Sequence, residues 1–266
     1  MGLALLAIIW LITFFSTYFF VAKTWWPHGA SSAAAFIDGQ FSLTLVLMGI
    51  VFVAAQGALG LFVWQYRERP ESKKVEYSHG NTKLEVVWTV LTAVLFVGLN
   101  LMGSNVWARE RFAPAEAGSV PVEVTGMQFA WYFRYPGPDA TFGITRPQLA
   151  SPAEGNPVGV DPADPHSTDD LVTAELVIPA GREIDLRLQA QDVIHGFSVP
   201  ELRLKQNAVP GESIHIHFTP TKPGTYAILC TQLCGLGHYR MNANLRVLSP
   251  NDFRAWLTAR EKPVHP

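Results

Sequence analysis

The stretch Cys230-Thr231-Gln232-Leu233-Cys234-Gly235-Leu236-Gly237-His238-Tyr239-Arg240-Met241 holds the only two cysteines of the 266-residue chain. A histidine and a methionine follow them at close spacing. Thiolate, imidazole and thioether together suit copper in an electron-transfer site. One cysteine with a histidine and a weak axial methionine would describe a single blue copper, whereas two cysteines in one loop can bridge two metals. A disulfide or a pair of buried thiols is the plain alternative. Zinc fits less well, because zinc sites draw on Cys, His and carboxylate rather than Met.

Two metals in one loop need a second imidazole. The chain offers Asp192-Val193-Ile194-His195, about 35 residues before Cys230. The surrounding sequence reads as a β domain. Val120–Thr125, Gln128–Tyr135, Val172–Ile178, Glu183–Gln189, Ser213–Thr219, Thr225–Leu229 and Ala243–Leu248 are short runs rich in Val, Ile, Phe and Tyr, bounded by Pro and Gly. Alternation is clear in Ile184, Leu186, Leu188 and in Ile214, Ile216, Phe218, and several short strands separated by turn signals argue for an antiparallel sandwich or barrel. His215 and His217 fall on the polar face of their strand and read as solvent-facing residues rather than ligands. Residues 145–170, crowded with Pro, Gly, Asp and Ser, read as a surface excursion. Ser249-Pro250-Asn251-Asp252 predicts a helix start, with Ser as cap, Pro at the first position and an acid three residues after the cap.

Upstream the composition changes. Gly2–Ala22, Phe41–Trp64 and Leu84–Val106 are each apolar for roughly 20 residues or more, the length a helix needs to cross a ~30 Å hydrocarbon core. Trp25, Trp26, Trp64, Trp88 and Trp107 stand near their ends, as an aromatic belt does. The first run exceeds a signal-peptide core and no Lys or Arg precedes it, so it reads as a retained helix, although Ala33-Ala34-Ala35 has the form of a cleavage site. Arg67, Arg69, Lys73, Lys74 and Lys83 concentrate between the second and third runs, which keeps that loop cytoplasmic and sends everything after Trp107 to the outer side. Glu85 is a carboxylate at the cytoplasmic lip of the third helix, where ionisable groups often serve proton paths. Gln56 and Asn100 read as helix-to-helix hydrogen-bonding groups. Residues 107–266 are mildly acidic and carry no basic block, which argues against nucleic acid as a partner.

Taken together, the paired helices, Asp192-Val193-Ile194-His195, Leu204-Lys205, Val209-Pro210-Gly211 and the Cys-x-x-x-Cys-x-x-x-His-x-x-Met loop resemble subunit II of the cytochrome c oxidases, within the haem-copper oxidases. The resemblance runs from about Phe41 to Leu257. It implies N-terminal transmembrane helices followed by a cupredoxin-like Greek-key β-sandwich and a short C-terminal helix. Residues 1–40 would be a first helix and outside linker, 41–107 a helix hairpin with a cytoplasmic loop at 65–83, and 108–266 the periplasmic copper domain of a bacterial-type inner-membrane protein.

The same resemblance implies a dinuclear copper centre, CuA. Cys230 and Cys234 would bridge, His195 and His238 would bind one copper each, and Met241 and the Gln232 carbonyl would be weak ligands. Electrons would arrive from cytochrome c or another external donor and leave for haem in subunit I, where oxygen is reduced and protons are pumped. Glu85 matches a family glutamate at a proton-channel entrance. Gln232 replaces the family glutamate that reaches a magnesium or manganese ion, so that ion is in doubt. Phe129 stands where many relatives carry the tryptophan that takes up electrons, with Trp131 close by. Asp139, Asp169, Asp170 and Asp192 are expected to help dock a basic donor. A nitric oxide reductase subunit and a membrane-tethered copper carrier stay open as alternatives.

Overall fold

In a computed structural model of the chain, residues 2–23, 27–69 and 79–260 are described. Trp25 and Trp26 of the expected belt, and Lys73 and Lys74 of the basic loop, lie outside them. The chain divides into two compact units.

The first unit holds residues 1–26 and 38–104. Its helices are α1 (Gly2–Val21), most of α2 (Ala34–Gln65) and most of α3 (Thr82–Arg111), and all three are long and apolar enough to cross a membrane. Their Leu, Ile, Val and Phe side chains are exposed on every side, as a helix solvated by lipid permits. Helix α2 begins seven residues before Phe41, inside the stretch expected to be linker. Its 32 residues span roughly 48 Å and outlast the hydrocarbon core. Side chains that reach the backbone of a neighbour, at glycines in one case, join the helices. Trp10 Nε1 donates to the Gly57 carbonyl at 3.4 Å, and a Cβ on Gly60 would meet Trp10 Nε1 at 2.6 Å. Asn100, expected to reach a neighbouring helix, instead donates to Phe96 one turn back at 2.8 Å. Gln40 makes the crossing, donating to the Leu99 carbonyl at 2.9 Å.

The second unit, residues 27–37 and 105–266, contains two five-stranded sheets. Its strands are β1 (Val120–Met127), β2 (Ala130–Tyr135), β3 (Leu171–Thr173), β4 (Leu176–Pro179), β5 (Ile184–Ala190), β6 (His195–Val199), β7 (Leu204–Ala208), β8 (Ile214–Phe218), β9 (Gly224–Cys230) and β10 (Asn242–Leu248). The first sheet runs β3-β2-β1-β5-β8 and the second β4-β10-β9-β6-β7. Neither is purely antiparallel, because β1 pairs in parallel with β5 and β10 with β4. The run Val172–Ile178, expected as one strand, breaks at Ala174-Glu175, and its halves join different sheets. Thr173 Oγ1 donates to the Glu175 carbonyl at 2.6 Å and closes that crossing. Tyr135 ties the sheets together, its hydroxyl accepting from Val177 N at 2.8 Å and donating to Val177 O at 2.9 Å. The core between the sheets contains Val122, Val124, Trp131, Phe133, Leu176, Leu186, Leu188, Phe197, Ile216, Ile228 and Leu245.

Helix α4 (Pro250–Thr258) starts as its sequence dictates. Ser249 Oγ accepts from Asp252 N at 3.2 Å, and Phe253 and Trp256 turn inward. The excursion at 145–170 is held by carboxylates. Asp161 pairs with Arg146 at 2.6 Å, Asp164 accepts from Ile144 N at 2.7 Å, and Asp170 meets Arg134 at 2.8 Å. Two of the acids expected on a docking surface are therefore not there: Asp169 and Asp170 are buried. Asp139 is engaged with His166 at 2.6 Å. His217 is also buried, contrary to its expected exposure, because it faces Asp185 on the paired strand.

Candidate metal centre

Register brings the two halves of the expected ligand set together. His195 opens β6 and Cys230 closes β9, and these strands are antiparallel neighbours with Phe197 opposite Cys230. The loop leaves β9 and returns into β10, with Cys230 N donating to the Met241 carbonyl at 3.2 Å. Thr231 N donates to Gly196 O at 2.9 Å and seats the loop on β6. Only glycine fits at 196, since a Cβ there would lie 2.6 Å from Thr231 Oγ1 and 2.8 Å from Gln232 N.

The donor atoms converge at the end of the sandwich. The Sγ atoms of Cys230 and Cys234 are 3.9 Å apart, and both thiols are free. That separation is far beyond the ~2.05 Å of a disulfide. Donor atoms of His195, Cys230 and Cys234 all lie within 4.8 Å of one another. Cys234 Sγ is 3.6 Å from His238 Nδ1 and 3.7 Å from Met241 Sδ. Cys230 Sγ is 3.2 Å from the Gln232 carbonyl oxygen. All six residues of the expected set thus fall in one cluster, with His195, Cys234 and Met241 buried and Cys230 and His238 half-buried.

The cluster suits a bound cation. His195 Nε2 donates to Asp192 Oδ1 at 2.8 Å, leaving Nδ1 buried with no hydrogen-bond partner. Burial, and then the charge of Cys230, push the Cys234 thiol up to about 11. Two adjacent thiolates are unfavourable without a compensating positive charge, and a soft metal supplies one. Asp192 is not a free docking acid. Burial alone would raise its carboxyl, but hydrogen bonds from His195, Gln128 N and Val193 N hold it below the usual range.

Gln128 was not singled out by sequence as a partner of the loop, yet it links both halves of the cluster. Its backbone N–H donates to Asp192 Oδ2 at 2.7 Å, and its side chain donates to the Cys234 carbonyl. Phe129 follows it, half-buried against Gly235 and Gly237. Trp131 is only 1% exposed and lies edge-on to the His195 ring at 5.8 Å. Phe129 is therefore reachable from outside the domain, whereas Trp131 is closed off. Glu85 lies in the other unit, in the first turn of α3, where Asn81 Oδ1 caps Lys83 N at 3.1 Å and Leu84 N at 3.2 Å.

Comparison with known proteins gives the same picture along the chain. Residues 20–104 match the family described as cytochrome C oxidase subunit II, transmembrane domain, and residues 121–247 match its periplasmic domain. The alternative cytochrome c oxidase subunit 2 of Bradyrhizobium diazoefficiens is 33% identical over 96% of this chain and 91% of its own length. Cytochrome c oxidase subunit 2 of Thermostichus vulcanus is 31% identical over 86% of this chain and 76% of its own. Among solved structures, the periplasmic domain of subunit II of cytochrome oxidase from Bradyrhizobium japonicum is 26% identical. It covers 55% of this chain and 96% of its own length, with a TM-score of 0.40. With both halves matched in order and full-length relatives above 30% identity, the chain belongs to the cytochrome c oxidase subunit II family.

Proposed function

We propose that this oxidase subunit holds a dinuclear copper centre, with Cys230 and Cys234 as bridging thiolates, His195 and His238 as one terminal ligand each, and Met241 and the Gln232 carbonyl as weak ligands. The observation that carries this reading is the pair of free sulfurs 3.9 Å apart beside the orphaned, buried Nδ1 of His195. When bound, the copper pair supplies one-electron transfer with little rearrangement of its bonds. The residues around it fix geometry and exclude water. Asp192 sets the His195 tautomer, Gln128 anchors the loop, and Trp131 and Phe197 wall the buried side, with ring centroids 5.4 Å apart.

On this reading the copper domain lies on the periplasmic side. It takes electrons from cytochrome c or another external donor near Phe129 and passes them to haem in subunit I, with lipid around the helices. Leu233, Leu236 and Tyr239 present an apolar, exposed face of the ligand loop, with Leu236 at 98%, suited to cover by that partner subunit. Glu85 serves the entrance of a proton path. Gln232, a neutral amide, is a poor ligand for magnesium or manganese. Elemental analysis of the purified chain tests the central claim. Two coppers per chain are expected, falling sharply in Cys230→Ser; one copper, or zinc in its place, contradicts it.

A further inference from the structure

We propose that Asp185, His215 and His217 form a second metal site, one that takes a single divalent cation of the zinc type and is separate from the cysteine loop. His215 and His217 are two residues apart on β8, so both imidazoles project from the same face of the sheet. Asp185 lies directly opposite His217 on β5. Its Oδ1 is 3.0 Å from His215 Nδ1 and 3.6 Å from His217 Nδ1, so one carboxylate oxygen confronts two imidazoles.

The environment separates this cluster from an ordinary surface ion pair. The side chains of Asp185 and His217 are 11% and 7% exposed, and His217 Nδ1 is buried without a hydrogen-bond partner. A buried imidazole nitrogen left unsatisfied is costly, and a cation would satisfy it. His215 is 45% exposed and β8 is the edge strand of its sheet, so a cation can approach from that side and His215 can swing to meet it. Two imidazoles and one carboxylate, with no sulfur, suit zinc and leave a position for water. Arg187 is the opposing charge. Its Nε lies 3.5 Å from Asp185 Oδ2, the other carboxylate oxygen, and its guanidinium rests on the Phe142 ring at 5.2 Å. Oδ1 is hydrogen-bonded to His215 Nδ1 at 3.0 Å, a contact that a cation would replace as His215 swings.

The site is also distant from the first. β5 runs extended from Asp185 to its end at Ala190, about 17 Å, before the chain turns toward Asp192, so a metal here touches none of the cysteine-loop ligands.

The test uses the full chain in detergent, copper-loaded so that the thiols are occupied, dialysed against buffered Zn2+ and assayed for bound metal. Wild type is expected to hold one more Zn2+ per chain than His215→Ala, with an affinity at least about tenfold higher and an unchanged copper absorption spectrum. Asp185→Asn should lose the same ion. Because His215 is exposed, its variant is not expected to unfold, and circular dichroism checks this. Equal zinc uptake by wild type and His215→Ala would overturn the proposal, as would uptake that occurs only as copper absorbance is lost. Should the chain fail to load copper, a Cys230→Ser, Cys234→Ser double variant removes thiol competition, and the same comparison at His215 decides the matter independently of the copper reading.

Discussion

Asp192 accepts a hydrogen bond from His195 Nε2 at 2.8 Å, which leaves the other ring nitrogen of His195 buried without a hydrogen-bond partner in the cluster that holds the two cysteines. The carboxylate also accepts from Gln128 N, so it is held in place by the segment that anchors the loop. Removing such a partner of a metal-binding histidine typically costs 10–100-fold in affinity. Asp192→Ala is therefore expected to weaken copper binding by about that factor in chelator competition. Asp192→Asn keeps an acceptor and should recover most of the loss.

Gly196 makes a second, purely steric prediction. A methyl group there would press on Thr231 and on the Gln232 backbone, at the start of the loop that leaves β9. Gly196→Ala should leave the thermal unfolding of the sandwich close to wild type but displace the ligand loop, so that copper is lost on mild dialysis against a chelator. Full retention of copper by a folded variant would show that the loop tolerates the shift.

The helices and most strands were legible because each carries its own signal, an apolar run of spanning length or a period of two. β6 was harder to see: His195-Gly196-Phe197-Ser198-Val199 is short, contains Gly, and is buried on both faces, so it shows no alternation. The Val172–Ile178 run looked continuous because apolar residues flank Ala174-Glu175, and only the Thr173 to Glu175 hydrogen bond marks the crossing. Cys230, Cys234, His238 and Met241 stood out by residue type and spacing, whereas His195 and the Gln232 carbonyl joined the expected set through the family resemblance. The supports of the set did not stand out, since the contacts of Gln128 with Cys234 and Asp192 join positions 106 and 64 residues apart. Only the Asp three residues before His195 was a local clue. Burial of His217, Asp169 and Asp170 likewise depends on what folds over them.

Asp170 gives a pH prediction. Burial pushes its carboxyl from 3.8 up to about 6, against the opposing pull of Arg134. Above 3.8 the unfolded chain has released a proton that the folded protein still holds, so stability attached to this group falls as pH rises, with the full loss reached above about 6. The stability of Asp170→Asn relative to wild type should therefore be greater near pH 7 than near pH 4, by on the order of 1–2 kcal/mol after solvent screening. Urea denaturation at the two pH values measures it, and an equal difference at both would contradict the assignment.

Glu85 stands in the first turn of α3, where the helix dipole also favours a carboxylate. Loss of its charge should cost the helix only about 0.3–1 kcal/mol. Glu85→Gln in the assembled oxidase is expected to slow turnover while leaving the copper spectrum intact. Wild-type turnover would remove Glu85 from the proton path.

The most direct test of the central claim is the electron paramagnetic resonance spectrum of the oxidised, copper-loaded chain. Two coppers bridged by Cys230 and Cys234 should share one unpaired electron equally, and the hyperfine pattern of that shared state should vanish in Cys230→Ser. A spectrum from an electron localised on one copper, or a silent centre with zinc in its place, would contradict it.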